Sequence, residues 1–448
     1  GVLKTEGETI KSLSFSTVGD TVIFFRLKAA ERTGAAQVKI KASGGGASTT
    51  ETIDIAVRNP NPPVIIGRSA LIDPNGEAEL LLRPGSVGQG DWARLELSRM
   101  PTVNLNSILA FLADYPHGCT EQVISQGFPL LYLEQFASLS EGQKEQARQK
   151  ITSVIQILAS RQMPDGGFLY WPGHSFASEW VSSYAGHFLI EALNHGYEVP
   201  RSMINRWVEF QQRLARNWSR TQPERGYHGI SMTELQQAYR LYTLALGEHA
   251  ELGAMNRMRE IADLNLQAKW QLAAAYALAG KPDVASSLVF NLSDRVEEYR
   301  SDNDTYGSSA RDQAMIMQTL LLLGNVEQAF QLAGELSRAL SSDYLSTQTA
   351  AFGLAAMANL AGKLGSEVID AEWTLNGQKM APISTPQALH QTELKLAAEQ
   401  SVRLVNRGKG KIYARLTAFT QPLEDTLRSV EGSLRLSVSY LDAAGKPL

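Results

Sequence analysis

The hydrophobic pattern of this chain changes its period twice, and the two changes divide it into three parts. Up to about residue 100, short runs alternate apolar with polar residues, as in 12–17, 36–41 and 93–98. From about 104 to 365 the apolar residues recur at three- and four-residue spacing, and after 368 the alternation returns. Alternation is typical of half-buried strands, and the longer spacing is typical of amphipathic helices. The pattern therefore predicts a mixed α and β chain in which a helical body interrupts a β region.

The helical part is predicted to be a series of helix hairpins. Its amphipathic segments lie at 145–161, 177–194, 201–217, 233–246, 266–279, 309–323 and 347–360. Most of them end on a glycine, which takes the left-handed conformation of a helix C-cap without a steric cost; these are Gly196, Gly247, Gly280, Gly324 and Gly362. Repeated hairpins without strands form either an open solenoid or a closed ring, and the pattern alone does not decide between them.

Length and composition further restrict the number of domains and the classes of partner that this chain can have. With 448 residues, the chain has room for two to four domains. Its formal net charge of −4 argues against nucleic acid or an anionic membrane surface as a partner. No apolar run approaches the roughly 20 residues that span a bilayer, and the start of the chain carries neither a signal peptide nor a lipid-attachment cysteine. We expect the chain to be a fragment of a longer protein.

Cys119 is the only cysteine of the chain, and it lies in the run Cys-Thr-Glu-Gln at 119–122. A lone thiol forms no internal disulfide and anchors no cysteine-rich metal site. Three positions further on, Gln122 carries a carboxamide that a first helical turn would bring against the sulfur. Loss of ammonia between the two side chains would give an internal thioester, which is a stored acylating agent. The position at a helix start is also expected to favour the thiolate over the thiol.

Three other interpretations compete with the thioester. A ring-shaped enzyme of the glycosidase or cyclase kind would need carboxylates that face one cleft, and the candidates are Asp165, Glu179 and Asp304. A cysteine nucleophile of the transglutaminase or protease kind would need a histidine base within hydrogen-bond reach of the sulfur. A helical binding module would leave the cysteine buried and inert. None of the three gives a role to Gln122.

Several motifs carry a resemblance to a known family. Residues 115–122 read Tyr-Pro-His-Gly-Cys-Thr-Glu-Gln, residues 162–168 read Gln-Met-Pro-Asp-Gly-Gly-Phe and are followed by Trp171, and residues 346–349 read Ser-Thr-Gln-Thr. With these motifs the chain resembles the thioester-containing proteins, which include α2-macroglobulin and the complement thioester components. It is most similar in pattern to the bacterial α2-macroglobulins. The resemblance is strongest from about 100 to 365.

The resemblance implies a fold. The helical part would be an α/α toroid, the thioester domain, inserted into a CUB-like β-sandwich, with a partial macroglobulin-like β domain at the N-terminus. The strands of 64–100 and 368–430 would then pair with each other. The implied divisions are 1–58 for the end of the macroglobulin-like domain, 59–102 and 368–432 for the two parts of the CUB-like domain, 103–367 for the thioester domain, and 433–448 for the start of a following β domain.

The resemblance also implies a function, that of a broad-spectrum protease trap and not of an enzyme. After a protease cuts a bait region, the uncovered thioester acylates a lysine of the protease in a single turnover and leaves an isopeptide crosslink. Cys119 and Gln122 would form the thioester. The pocket and assisting residues would be Tyr115 as a cover, His117, Glu121, and His228 as a histidine that takes the acyl group.

The partners implied are target proteases and the neighbouring domains of the full-length protein, with no cofactor, metal or nucleic acid. The compartment implied is the periplasm, with an inner-membrane lipid anchor that this chain does not contain.

Overall fold

The computed structural model describes residues 1–30, 33–59, 61–84, 91–101, 103, 105–115, 117–136, 139–220, 232–299, 305–341, 345–364, 368–421, 439, 441, 442 and 446. Seven strands come first: β1 (Leu3–Glu6), β2 (Arg26–Ala29), β3 (Gly34–Gly44), β4 (Ala47–Val57), β5 (Val64–Ile72), β6 (Glu77–Leu82) and β7 (Trp92–Ser98). Six strands come last: β8 (Ile369–Leu375), β9 (Gln378–Lys379), β10 (Ile383–Thr385), β11 (Leu389–Leu394), β12 (Gln400–Asn406) and β13 (Ile412–Thr420).

Helices fill the stretch between β7 and β8. They are α1 (Leu105–Ala113), α2 (Thr120–Gly127), the 3-10 helix Phe128–Tyr132, α3 (Leu133–Phe136), α4 (Glu141–Arg161), α5 (Glu179–Asn194), α6 (Arg201–Asn217), α7 (Met232–Leu246), α8 (Leu252–Arg259), α9 (Leu266–Leu278), α10 (Pro282–Val289), α11 (Ser309–Leu322), α12 (Val326–Ala339) and α13 (Thr347–Lys363). The predicted change from strands to helices and back is therefore confirmed.

The strands on the two sides of the helical body form one β-sandwich. One antiparallel sheet has the order β10-β8-β12-β6, with β9 attached to β8, and the other has the order β11-β7-β13-β5. Each sheet thus mixes strands from before and after the helices, which confirms the expected pairing of the two β segments. The alternating apolar residues of both sheets meet in a core that includes Leu80, Leu95, Val402 and Leu416.

The first 57 residues form two separate antiparallel pairs, β1 with β2 and the long hairpin β3–β4. Gly45 and Gly46 make the hairpin tip with positive φ angles of 58° and 82°, as the glycine run predicts. The strand predicted at 12–17 is wrong. Among the described residues no strand pairs with that stretch, and Leu13 and Phe15 are each about half exposed, at 51% and 53%. An alternating pattern without a neighbouring strand has no ladder to join.

Six of the helices follow one another around a common core. α2 packs against α5, α5 against α7, α7 against α9, α9 against α11, α11 against α13, and α13 against α2, so that the succession returns to its first member. We call these six the inner helices. The helices between them in sequence pack on their outside. Inner helices are buried nearly all round, as in α13, whereas α12 buries only one face, with Ala329, Leu332, Ala333 and Leu336.

The N-terminal ends of the inner helices meet at one end of the helical body. Ser308 and Ser346 cap α11 and α13 and both reach the hydroxyl of Thr349, at 2.6 and 2.8 Å. The guanidinium of Arg311, near the start of α11, lies 4.6 Å from the ring of Trp180 at the start of α5. Side chains from sequence-distant helix starts therefore share one small volume.

Glycine ends the helices at most of the predicted places. Gly196, Gly280 and Gly324 have positive φ angles of 83°, 71° and 78°. Two predictions differ from the structure. At Gly247 the left-handed residue is the next one, Glu248, with φ 65°, and Gly362 lies inside α13.

Candidate functional site

Cys119 is the N-cap residue of α2. Its backbone is extended, with φ −63° and ψ 161°, and its side chain is fully buried at 0% exposure. Cap residues are usually Ser, Thr, Asp or Asn, whose oxygen accepts a hydrogen bond from a backbone N–H of the first turn. Here the sulfur takes that place, facing the backbone N–H of Gln122.

Gln122 completes a capping box with Cys119. The backbone N–H of Cys119 donates to Oε1 of Gln122 at 3.1 Å, so the carboxamide folds back over the residue that carries the thiol. In an ordinary capping box, Ser or Thr and Glu or Gln satisfy each other's backbone donors in this way. The same geometry folds the carboxamide of Gln122 back to the backbone of Cys119, with the carbonyl oxygen bound to an N–H. The structure thus brings together the two residues that the sequence predicts to form a thioester.

Two further side chains reach the sulfur. The hydroxyl of Tyr170 lies 3.5 Å from Sγ, and Oε2 of Glu121 lies 4.0 Å from it. Burial raises the pKa of the Cys119 thiol, and the hydrogen bonds from Tyr170 and from the backbone of Gln122 only partly oppose that effect. The expectation that the helix start favours the thiolate is therefore wrong. Loss of water around a charged sulfur outweighs the partial charge of the helix end.

Glu121 is buried at 3% exposure and is held on two sides. The Ser125 hydroxyl donates to Oε1 at 2.8 Å, and the Thr347 hydroxyl lies 2.9 and 3.1 Å from the two carboxyl oxygens. Burial raises the pKa of Glu121 to about 7, against the opposing effects of these hydroxyls and of the Arg311 charge. Because Thr347 begins α13, the carboxyl also bonds the first inner helix to the last.

Tyr170 comes from the loop between α4 and α5, which is fastened to the start of α2. The Thr120 N–H donates to the Tyr170 carbonyl at 2.9 Å, and the Thr120 hydroxyl donates to the Leu169 carbonyl at 2.5 Å. Arg161 in turn donates to the Thr120 hydroxyl at 3.0 Å. The ring of Tyr306 stacks on the Tyr170 ring, with centroids 5.4 Å apart and 19° between the planes.

The Asp-Gly-Gly turn upstream of Tyr170 is shaped by its glycines. Asp165 accepts from the Gly167 N–H at 3.1 Å, which is the turn-forming role of Asp at such a position. Gly166 has φ 95°, and a Cβ there would lie 2.0 Å from the Arg206 carbonyl oxygen. The turn therefore fixes the loop that carries Tyr170 against α6.

Of the other predicted site residues, the structure describes Tyr115 and His117. Tyr115 is half-buried, and its ring contacts are edge-to-face with Phe111 at 5.5 Å and with His117 at 5.7 Å, while His117 is exposed. Among the described residues, an aromatic side chain that contacts Sγ is that of Tyr170. His228 lies outside the described residues, as does Asp304.

The two described carboxylates proposed for the enzymatic alternative, Asp165 and Glu179, each lie beside an arginine. Asp165 lies 3.6 Å from Arg213, and Glu179 lies 2.5 Å from the buried Arg240. His187 is buried and bonded to the Tyr239 hydroxyl at 2.9 Å, and burial lowers its pKa to about 3.

Sequence reasoning missed Tyr170, Ser125 and Arg161 as site residues. Thr347 lies in a motif that the sequence singled out, but without a role. Ser125 lies one helical turn after Glu121, so its spacing could have indicated the contact. No local signal marks Tyr170, Arg161 or Thr347, because they reach Cys119 or its neighbours only through packing.

Two features are absent from the described part of the chain. None of its helices combines the length and the apolarity that crossing a membrane requires. No group of three or more His, Cys, Asp or Glu side chains is placed there to hold a metal ion.

Comparison with known proteins relates this chain to one group. No family model matches the chain. An alpha-2-macroglobulin homolog of Yersinia pestis is 25% identical over 298 residues, covering 64% of this chain and 14% of that protein. The alpha-2-macroglobulin of Rickettsia conorii is 30% identical over 213 residues, covering 44% of this chain and 11% of that protein. The chain thus spans less than a fifth of the length of either relative.

Solved structures show the same fold. Native alpha-2-macroglobulin of Escherichia coli, from domain MG7 to the C-terminus, matches all of this chain with a TM-score of 0.65 and 22% identity, over 72% of that structure. Salmonella alpha-2-macroglobulin reacted with methylamine matches all of it with a TM-score of 0.65 and 24% identity, over 30% of that structure. Trypsin-activated Escherichia coli alpha-2-macroglobulin matches 96% of it with a TM-score of 0.50 and 20% identity, over 30% of that structure. Over most of its length the chain is therefore similar to bacterial alpha-2-macroglobulins, and it corresponds to a part of such a protein.

Proposed function

We propose that this chain carries an internal thioester between Cys119 and Gln122, and that the longer protein uses it to trap proteases covalently. The observation that carries the proposal is the reciprocal capping of these two residues, in which the Cys119 N–H holds Oε1 of Gln122 at 3.1 Å. A cysteine in place of the usual hydroxyl residue of a capping box adds little to helix stability. It does put a nucleophile on the residue whose N–H binds and polarises the carboxamide oxygen of Gln122.

The capping geometry provides a route to the thioester. The sulfur attacks Cδ of Gln122, the C–N bond breaks, and the amide nitrogen leaves as ammonia with the thiol proton. During the attack negative charge develops on Oε1, which the Cys119 N–H already binds. A preorganised donor at that position stabilises the transition state, as in an oxyanion hole. Glu121, with its pKa near neutrality and Oε2 at 4.0 Å from the sulfur, is placed to carry the proton between the thiol and the departing nitrogen.

The stored bond would be used once. A lysine amine attacks the carbonyl carbon, an isopeptide bond forms, and Cys119 is released as a thiol, so the protein is an inhibitor and not a turnover enzyme. Complete burial of Cys119 supports the storage of such a bond, because water is kept from it. The methylamine-reacted Salmonella relative and the trypsin-activated Escherichia coli relative support amines and proteases as the reactants.

We infer the architecture and location from the same resemblance. The closed succession of inner helices corresponds to an α/α toroid of about residues 103–367, inserted into a CUB-like sandwich of 59–102 and 368–432. Residues 1–58 would belong to a macroglobulin-like domain, and 433–448 to a following one. The longer protein would act in the periplasm, held at the inner membrane by a lipid anchor, with Tyr115, His117 and His228 assisting at the thioester.

Intact mass and thiol titration test the proposal. The freshly isolated chain is expected to be lighter than its sequence mass by one ammonia and to show no free thiol. Methylamine is expected to add its own mass and to release one thiol. Gln122→Ala should abolish the mass deficit, while Gln126→Ala, one turn further along the same helix, should keep it. A full thiol titre without a mass deficit, both in this chain and in the longer protein that contains it, would contradict the proposal.

A further inference from the structure

The hydroxyl of Tyr170 lies 3.5 Å from the Cys119 sulfur and has no counterpart among the residues that the sequence singles out. We propose that Tyr170 is a catalytic residue for opening the thioester, and that its hydroxyl donates a hydrogen bond to the sulfur and stabilises the thiolate as it leaves. This inference rests on the proposed function, since it assigns a role in the reaction of that same bond.

The direction of the hydrogen bond follows from the chemistry of sulfur. A free thiol carries a proton and donates it to the Tyr170 oxygen, which is the arrangement of the unreacted pair. A thioester sulfur carries no proton and can only accept. Once the thioester exists, the contact persists only with Tyr170 as the donor. The same donor then faces the atom on which negative charge develops when the C–S bond breaks.

The position of Tyr170 is fixed by its main chain and not only by its side chain. Thr120 is the residue after the cysteine, and its N–H and hydroxyl bind the carbonyls of Tyr170 and Leu169 at 2.9 and 2.5 Å. The backbone of the tyrosine is therefore tied to the first residue of the helix that the cysteine caps. A donor held by such bonds loses little freedom in the reaction, which is the condition for effective transition-state stabilisation.

Tyr306 covers one face of the Tyr170 ring. It stacks at 5.4 Å, is 40% exposed, and has a φ angle of 48°, which is uncommon for a bulky residue. A side chain held in that conformation places an aromatic ring between Tyr170 and the solvent. Burial and hydrogen bonds to Tyr306 and to the thiol raise the pKa of Tyr170, so its hydroxyl keeps its proton at neutral pH.

The charges around the sulfur make a donor necessary. From α2, the Glu121 carboxyl at 4.0 Å opposes a thiolate, and from α4 the partly buried Arg161 favours one. Burial itself raises the pKa of the thiol. A thiolate leaving into this environment gains most from a hydrogen bond made directly to the sulfur.

The reaction needs no reactant besides the thioester and the amine. The lone pair of the amine nitrogen attacks Cδ of Gln122, and the C–S bond breaks with its electron pair moving to sulfur. The proton lost by the nitrogen ends on the sulfur, giving an amide and the Cys119 thiol. Tyr170 keeps its own proton throughout and acts through the hydrogen bond.

The test compares Tyr170→Phe with the wild type and with Tyr413→Phe, a control on β13 of the sandwich. Phe keeps the shielding ring and removes only the hydroxyl. In chains with a confirmed mass deficit, the rate constant of methylamine-driven thiol release is expected to fall about 10- to 100-fold in Tyr170→Phe, the range for a hydrogen bond to a charged group. The control is expected to match the wild type.

Two outcomes separate this inference from the proposed function. A mass deficit in Tyr170→Phe with an unchanged or faster release overturns the role of Tyr170 and leaves the thioester intact. If no mass deficit is found in the wild type, neither in this chain nor in the longer protein that contains it, the proposed function fails. The alkylation rate of the free Cys119 thiol, measured as a function of pH, is a second test in every case. Loss of the Tyr170 hydrogen bond is expected to shift this pH profile to higher pH, and an unshifted profile refutes the hydrogen bond.

Discussion

Glu121→Gln is the substitution with the clearest consequence for stability. The carboxyl of Glu121 is buried between Ser125 and Thr347, and its pKa is about 7 in the folded protein against an ordinary value of 4.5. Glutamine has nearly the same shape and keeps one oxygen to accept the two hydroxyls. Because glutamine carries no charge at any pH, the variant lacks the contribution that the ionisation of Glu121 makes to the free energy of unfolding.

The sign of the effect follows from proton binding. Below pH 4.5 the carboxyl is protonated in both states and has no pH-dependent effect. Between 4.5 and about 7 the unfolded chain loses the proton and the folded chain keeps it, so the free energy of unfolding falls as the pH rises. Above 7 both states are ionised and the loss is complete. A difference of about 2.5 pKa units corresponds to about 3 kcal/mol in total.

Urea denaturation followed by far-UV circular dichroism measures this in the helical body. From pH 5 to pH 8 we expect the wild type to lose about 2–3 kcal/mol relative to Glu121→Gln. Glu141→Gln is the matched control, because Glu141 is also in the first turn of a helix but is exposed. It should follow the wild type at both values. If the difference between wild type and Glu121→Gln is the same at pH 5 and pH 8, the reasoning from burial is refuted.

Two further substitutions test the packing and the closure of the helical body. A Cβ at Gly186 would lie 2.0 Å from the Trp207 ring, so Gly186→Ala should destabilise the protein by about 1–3 kcal/mol. Gly142→Ala, at an open helix position, should cost nothing, and equal melting temperatures for the two variants would contradict the packing argument. Thr347→Val removes a donor to Glu121 and should cost about 1–3 kcal/mol at pH 8. The cost should be smaller at pH 5, where the carboxyl is neutral, and urea denaturation showing an equal loss at both pH values would argue against the contact.

Much of the fold follows from local pattern, because burial imposes a period on each segment. The boundaries near residues 104 and 365 lie within a few residues of the start of α1 and the end of α13. The short outer helices α8 and α10, of eight residues each, escaped prediction because they contain too few turns to show a period. The strand expected at 12–17 was wrong because alternation reports a pattern and not a partner.

The residues of the candidate site also divide into those that the sequence identifies and those that it does not. Cys119 and Gln122 are recognisable because their contact is made within one helical turn. Thr347 bonds Glu121 across 226 positions, and Tyr170 reaches the sulfur across 51. No local pattern marks such contacts. The direction of the thiol pKa was mispredicted for a related reason, since it depends on how completely the fold excludes water from Cys119.

The insertion of the helical body between β7 and β8 sets an order in which the chain can fold. β7 pairs with β11 and β13, and across the first of these pairs Arg94 bonds Glu393, 299 positions away. Closing a flexible loop of that length costs about 5 kcal/mol of chain entropy. Once the helical body has folded, α1 packs against α13, so the two ends of the insertion already lie together.

During synthesis, β5, β6 and β7 are made before their partner strands exist, and they present unpaired edges for as long as the helices take to emerge. Formation of the helical body is therefore the step that brings β8–β13 close to β5–β7, so that the two halves of the sandwich can pair. A substitution that slows it, such as one that loosens the bond between Glu121 and Thr347, is expected to show itself as aggregation through the sandwich strands.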